Sequence, residues 1–125
     1  MSIDRYESPE TLAMVSGAPE MVCRMIFAAA PTRQEIEAVR SDCRKDELCR
    51  VRFAIVFAAR EYAGATFSQI GRAINRDGNG SWISRSYVRA RHLVKHDKAF
   101  RSECHRLREV IQPREALRLK ARTGN

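Results

Sequence analysis

Four cationic side chains recur on one side of a predicted helix, residues 82–96, and these are Arg85, Arg89, His92 and His96. The spacing places an apolar stripe on the opposite side, formed by Ile83, Tyr87, Ala90 and Val94. Such a helix packs through one face and presents positive charge on the other. This arrangement is typical of a protein that binds a polyanion.

The two histidines of this face could also be considered as ligands of a metal ion. His92 and His96 have the i, i+4 spacing of two ligands on one helix face, but nothing nearby supplies a third ligand and the neighbouring arginines repel cations. The four cysteines form no Cys-x-x-Cys pair, so we expect free thiols. We expect neither a metal nor a cofactor. Because no nucleophile motif or paired carboxylates stand out, we also expect no enzymatic activity.

The net charge of the chain points to the same kind of partner. There are 23 Lys and Arg residues against 15 Asp and Glu residues, a formal charge of +8. Nearly all of the excess lies after residue 69, where the chain carries 14 basic and 5 acidic side chains. No apolar run reaches the roughly 20 residues of a membrane span, and no secretion signal is apparent. We therefore expect a cytoplasmic, nucleoid-associated protein with no membrane partner.

Helical periodicity and capping residues predict an all-α fold, a small helical bundle. The predicted helices span 9–16, 21–30, 33–45, 48–63, 67–75 and 82–96, and a last helix follows Asp97 and ends before Pro113. Residues 1–31 form a predicted N-terminal helical extension, which either completes the core or contacts a partner. Residues 32–112 form the main domain, and residues 113–125 form a basic C-terminal tail.

Two of these helices suggest how the cationic face is presented. A short helix, 67–75, is capped by Thr66 and Gln69, and the glycine-containing turn 76–81 joins it to helix 82–96. In a helix-turn-helix, the first helix crosses the phosphate backbone and the second enters the major groove. An ordinary helical hairpin with a solvated charged face is the alternative. Trp82 fits either a packing anchor or a DNA contact.

The segment 60–73, Arg-Glu-Tyr-Ala-Gly-Ala-Thr-Phe-Ser-Gln-Ile-Gly-Arg-Ala, resembles the C-terminal DNA-binding domain (domain IV) of the bacterial replication initiator DnaA. The resemblance covers roughly residues 48–111. It implies a Trp-repressor-like helix-turn-helix that binds double-stranded DNA.

The resemblance also implies which residues contact DNA. Arg50, with Arg52 beside it, aligns with an arginine that enters the minor groove, and Arg76-Asp77 aligns with an Arg-Asp pair at the turn. A carboxylate at position 77 would accept from a cytosine amino group. The chain departs from the family by inserting residues 78–83 before the recognition helix. With the cationic face added, the predicted DNA contacts are Arg50, Arg52, Arg76, Asp77, Ser84, Arg85, Ser86, Arg89 and His92.

The chain lacks the Gly-x-x-x-x-Gly-Lys-Ser/Thr loop of the initiator's ATPase, so we expect a freestanding DNA-binding domain. By family analogy, its expected role is that of a transcription regulator of the phage-like or gene-transfer-agent type. One alternative is a replication-linked factor that competes with or assists the initiator. A second is an adaptor that binds RNA polymerase or another DNA-binding protein. The sequence is compatible with one copy on the DNA or with two copies on a symmetric site.

Overall fold

The computed structural model describes residues 3–111, and within them the chain forms helices and no strands. The seven helices of this range are α1 (Pro9–Ser16), α2 (Glu20–Ala29), α3 (Arg33–Val39), α4 (Asp46–Glu61), α5 (Phe67–Ala73), α6 (Gly80–His96) and α7 (Lys98–Arg108). The prediction of an all-α domain is therefore confirmed. The predicted basic tail, residues 113–125, lies outside the described residues.

Side-chain caps begin several of the helices, as the sequence predicts. The hydroxyls of Ser8 and Thr32 accept hydrogen bonds from backbone N–H groups in the first turns of α1 and α3. Thr66 forms a reciprocal capping box with Gln69, with bonds of 3.1 and 2.8 Å. The Asp97 carboxylate accepts from the Phe100 N–H at 3.0 Å and starts α7. These local bonds satisfy N–H groups that the helices leave free.

Helix α3 is shorter than predicted. The sequence predicts a helix to about residue 45, but α3 ends at Val39 and residues 40–45 form a loop. The cause is a long-range contact from α4: the guanidinium of Arg52 binds the carbonyl oxygens of Val39 and Ala38 at 2.8 and 2.9 Å. Because these donors satisfy the end of α3, the chain leaves the helix there.

Helix α4 occupies the centre of the domain and packs against α2, α3, α5, α6 and α7. Its buried residues include Ile55 and Val56, which join one apolar core with Leu12 of α1 and with Met25 and Ile26 of α2. The described part of the segment 1–31 thus shares a core with the rest of the chain.

The connection between α5 and α6 is held tightly at its α5 end. Asn75 and Gly78 adopt positive φ angles of 61° and 79°, and the Arg76 N–H donates to the Gly71 carbonyl at 2.6 Å. A Cβ atom at Gly71 would lie only 3.1 Å from the Arg76 carbonyl oxygen. Glycine at position 71 therefore allows the turn to fold closely over α5.

Helix α6 begins earlier than predicted, at Gly80 rather than near residue 82. The Asn79 side chain accepts from the Trp82 N–H at 3.2 Å and acts as the cap. Residues predicted as turn are thus the first turn of α6. The helix packs on α4 through Ile83 and Ala90, which are buried, and its Tyr87 ring stacks on Phe57 at 6.4 Å.

Candidate nucleic-acid interface

The outward face of α6 is cationic, as its periodicity predicts. No Asp or Glu occurs between residues 80 and 96, whereas the buried positions of the helix are Ile83, Ser86 and Ala90. From position 84 onward, the exposed residues of α6 are Ser84, Arg85, Val88, Arg89, Arg91, His92, Lys95 and His96. Four of these residues are not among the predicted DNA contacts, and they are Val88, Arg91, Lys95 and His96.

Within residues 3–111, the charges on this face lack anionic partners. Among the residues that the structure describes, no carboxylate forms an ion pair with Arg85, Arg89 or Lys95, and their side chains make no hydrogen bonds there. The exposed Arg33 of α3 differs, since it pairs with Asp4 and Glu37. The α6 face therefore presents uncompensated positive charge to solvent.

The two histidines on α6 lie against each other. The ring centroids of His92 and His96 are 4.5 Å apart, and both residues are exposed. Between residues 3 and 111, no cluster of three or more His, Cys, Asp or Glu side chains is placed to hold a metal ion. The rings therefore extend the polar surface of the face beyond Arg89.

The turn before α6 is fixed to the loop before α4 by Arg76. Its Nη2 donates to the Ser41 carbonyl at 2.8 Å, and its guanidinium carbon lies 5.3 Å from the centre of the Trp82 ring. Trp82 is half-buried and packs against the core. Asp77 follows Arg76 and is exposed next to the start of α6.

The structure corrects the expectation that Arg52 contacts DNA. Its side chain is among the largest that are fully buried, with 1% exposure of the residue. All five guanidinium N–H donors have acceptors: Nε binds one carbonyl, Nη2 binds two, and Nη1 faces the Cys43 carbonyl at 2.6 Å and the Cys49 sulfur at 4.0 Å. No donor is left for a phosphate, so Arg52 holds the end of α3 instead.

Ser86 also fails as a DNA contact, because it is 4% exposed and faces the core. Ser84 is exposed on the outer face. The two serines are two positions apart, which turns their side chains about 200° relative to each other. The helix periodicity could have excluded Ser86 at the sequence level, since Ile83 and Ala90 flank it on the buried face.

Arg50 lies away from the start of α6. Its Nη1 pairs with the Asp97 carboxylate at 2.8 Å, and its guanidinium lies over the Phe100 ring at 5.3 Å. The hydrogen bond from Arg50, followed by the Phe100 N–H, lowers the pKa of Asp97 to about 2. The same bond raises the pKa of Arg50. Residues 85 and 97 are about 18 Å apart along a helix axis, so Arg50 and Arg85 mark opposite ends of α6.

A cleft beside the start of α6 contains a residue that the sequence analysis missed. It has a volume of about 580 Å³, and its walls are formed by Asp42, Arg44, Cys49, Arg52, Arg76, Asn79, Trp82 and Arg85. Arg44 is exposed and belongs to the loop 40–45. The sequence predicts a helix through residue 45, and nothing in its pattern singles out Arg44. The loop that follows the shorter α3 places Arg44 at the cleft, which Arg85 also lines.

No protein-family model, no curated protein and no solved structure was found to match this chain. The resemblance to DnaA domain IV therefore stays a prediction. In the described range, every helix is too short or too polar to span a membrane.

Proposed function

We propose that this chain binds double-stranded DNA sequence-specifically and regulates transcription, with α6 lying in the major groove. The observation that carries the proposal is the outer face of α6, which presents arginines with no anionic partner among the described residues. An α-helix fits the major groove, and an arginine fork binds guanine O6 and N7 or two phosphate oxygens.

The elements around α6 support this role by fixing the start of the helix. Arg76 ties the turn to the loop before α4, and Gly71 brings the turn close to α5. Residues near the N-terminus of a recognition helix contact base edges in helix-turn-helix proteins. Ser84 and Arg85 lie in the first two turns of α6, and Asp77 is exposed in the turn that precedes the helix. A rigid mounting limits how α6 can tilt in the groove, which favours specific contacts.

The most exposed apolar side chain on α6 also suits base readout. Val88 is 63% exposed and lies one helical turn from Ser84, Arg85 and His92. A β-branched side chain gains nothing from exposure to water, but it can pack against the C5-methyl group of thymine. We therefore assign Val88 a thymine contact between the arginine contacts.

The proposal is tested by selecting bound duplexes from a random library with the purified protein at two salt concentrations. A conserved motif should emerge, and its affinity should fall steeply as salt rises, because bound phosphates release counterions. Absence of both a motif and salt-dependent binding would refute DNA binding. An apolar interface with RNA polymerase or another protein, which loses little affinity in salt, would then be the better hypothesis.

The regulatory role needs a separate test in the source cells. Immunoprecipitation of the tagged protein followed by sequencing should give sharp peaks upstream of a few genes. A dominant peak at the replication origin would instead favour the replication-linked alternative. A variant with Arg85→Ala and Arg89→Ala is the matched control, and its peaks should be lost while its abundance stays unchanged.

A further inference from the structure

The cleft beside the start of α6 concentrates positive charge from four separate segments of the chain. Arg44 comes from the loop 40–45, Arg52 from α4, Arg76 from the turn, and Arg85 from α6. Asp42 is the one carboxylate among the residues that line the cleft. Four cationic side chains thus face one anionic side chain around a space of about 580 Å³. That volume is within the roughly 300–1,000 Å³ range of small-molecule sites.

The charge of Arg52 at the wall of this cleft has no counter-ion among residues 3–111. Its bonds go to neutral carbonyls, and it forms no ion pair with a carboxylate in the described part of the chain. Burial, and next the nearby charge of Arg76, lower the pKa of Arg52. A buried cation with only dipoles around it costs free energy that an anion close by would offset.

The other arginines of the cleft have guanidinium N–H groups that are not used in hydrogen bonds to described residues. The side chains of Arg44 and Arg85 make no hydrogen bonds to residues between 3 and 111. Arg76 uses one N–H for the Ser41 carbonyl at 2.8 Å and one for the Asn75 carbonyl at 3.4 Å. Since a guanidinium has five N–H donors, three remain on Arg76.

We propose that this cleft binds a phosphate group, held by Arg44, Arg76 and Arg85. Guanidinium forks match the oxygens of a phosphate in pairs, which suits three arginines around one anion. Two sources present the same chemistry. One is a backbone phosphate of the duplex that α6 binds, and this source rests on the proposed function. The other is a small free phosphate compound, which does not require DNA binding at all.

Trp82 provides a built-in reporter of the cleft. It is the single tryptophan of the chain, it lines the cleft, and the guanidinium of Arg76 lies over its ring. An anion that draws Arg76 off the ring changes the surroundings of the indole. The fluorescence of the intact protein therefore reports occupancy of the cleft without a label.

The test titrates the full chain with sodium pyrophosphate, and separately with its selected DNA duplex, against sodium chloride of matched ionic strength. The variant is Arg44→Gln, which removes one exposed guanidinium. The control is Arg106→Gln, which removes an exposed arginine of α7 that pairs with Glu103. We expect a saturable change in Trp82 fluorescence in the wild type and in the control. The Arg44→Gln variant should not show this change. If the duplex supplies the phosphate, the slope of log affinity against log salt should also shrink by about 1 in Arg44→Gln.

Each outcome decides between the sources or against the proposal. Saturation with pyrophosphate indicates a site for free phosphate compounds, and saturation with the duplex alone indicates a backbone contact. If pyrophosphate binds and DNA does not, the phosphate site in the cleft is supported and the proposed DNA function is refuted. If the duplex binds without changing Trp82 fluorescence, and if Arg44→Gln has the salt slope of the wild type, the phosphate site in the cleft is refuted. The proposed DNA binding is then unaffected. An equal response in Arg44→Gln and wild type, or no response beyond that to chloride, also overturns the phosphate site.

Discussion

Two groups of arginines in this domain use the same side chain in opposite ways. Arg40, Arg52 and Arg101 turn their guanidinium groups inward to backbone carbonyls. Arg85 and Arg89 extend from α6 and bind no described residue. We call the first group the carbonyl-bound arginines and the second the free arginines.

The carbonyl-bound arginines all act where a helix ends. Arg40 donates to the Ala73 carbonyl at the end of α5, at 2.8 Å, and Arg101 donates to the Val94 carbonyl in the last turn of α6, also at 2.8 Å. The final carbonyls of a helix have no partner within it, so a guanidinium that reaches them stabilises the end. The carbonyl-bound arginines count toward the net charge of +8, but their N–H groups are bonded to carbonyls. Only part of the positive charge is therefore available to a polyanion.

Removal of a carbonyl-bound arginine should have the largest effect on the protein. In Arg52→Met, the carbonyls of Val39 and Cys43 lose the donor that Arg52 supplies. The carbonyls of Ala38 and Ser41 keep hydrogen bonds from the Ser41 hydroxyl and from Arg76. Because each buried unsatisfied group costs about 1–3 kcal/mol, we expect the free energy of unfolding to fall by about 2–4 kcal/mol. Urea denaturation followed by circular dichroism measures this change.

A second variant separates the hydrogen bonds of Arg52 from its charge. Arg52→Lys keeps the positive charge but loses the planar fork, so its stability should lie between those of the wild type and Arg52→Met. If Arg52→Met unfolds at the wild-type urea concentration, the carbonyl contacts do not stabilise the end of α3. The grouping of Arg52 with Arg40 and Arg101 would then be wrong.

The free arginines should show the opposite behaviour. Arg85→Ala and Arg89→Ala should each weaken binding to the selected duplex by about 1–3 kcal/mol if they contact bases. Their free energies of unfolding should change little, since neither side chain is buried or bonded in the described structure. Fluorescence anisotropy with a labelled duplex measures binding, and urea denaturation of the same samples measures stability.

The matched control for the free arginines is Arg106→Ala, which removes an exposed arginine whose charge is paired with Glu103. It should leave affinity close to that of the wild type. If it weakens binding as much as Arg85→Ala does, binding depends on total charge rather than on the α6 face. Wild-type affinity in both α6 variants would remove this helix from the groove.

The sequence predicted what depends on local bonds and missed what depends on distant ones. The capping box of Thr66, the cap at Asp97 and the cationic side of α6 follow from spacing within one helix. The end of α3 does not, because it depends on Arg52, 13 residues beyond Val39 along the chain. Distant bonds also account for two other residues: the resemblance to DnaA placed Arg52 among the DNA contacts, and the sequence did not indicate that Arg44 lines the cleft.

Val88 tests whether the face of α6 that carries the free arginines contacts base edges. Val88→Ala removes two methyl groups, and if one of them packs on a thymine methyl, the change should cost about 0.8 kcal/mol of binding, the value for one buried methylene group. Replacing that thymine by uracil, which lacks the methyl, should cost a similar amount with wild-type protein. Because the two changes remove the same contact, combining them should cost little more than either alone.

The measurement scans each thymine of the selected site as uracil, with both proteins. At one thymine, the effects of Val88→Ala and of uracil on binding free energy should not add. At the other thymines, the two effects should add. Additivity at every thymine would place Val88 outside the groove contacts, while the arginine results would be unaffected.

Arg50 belongs to neither group, because its charge is paired with Asp97, and it should give the smallest effect. The pKa of Asp97 is about 2 in the folded protein, lowered chiefly by Arg50, whereas an unfolded Asp titrates near 3.9. A carboxyl with a depressed folded pKa stabilises the fold above its unfolded pKa, and this stabilisation is lost as the pH falls through the folded pKa. Asp97→Asn keeps a good cap for α7 and removes the charge.

The variant should therefore be less stable than the wild type at pH 7, and the difference between their urea midpoints should shrink from about pH 5 towards pH 2. Arg50→Gln should lower the midpoint at pH 7 in the same direction and, because Arg50 is paired, should leave DNA affinity near the wild-type value. A difference between Asp97→Asn and wild type that stays constant with pH would mean that the pair does not hold the Asp97 pKa low. A loss of affinity in Arg50→Gln as large as that in Arg85→Ala would instead place Arg50 among the free arginines.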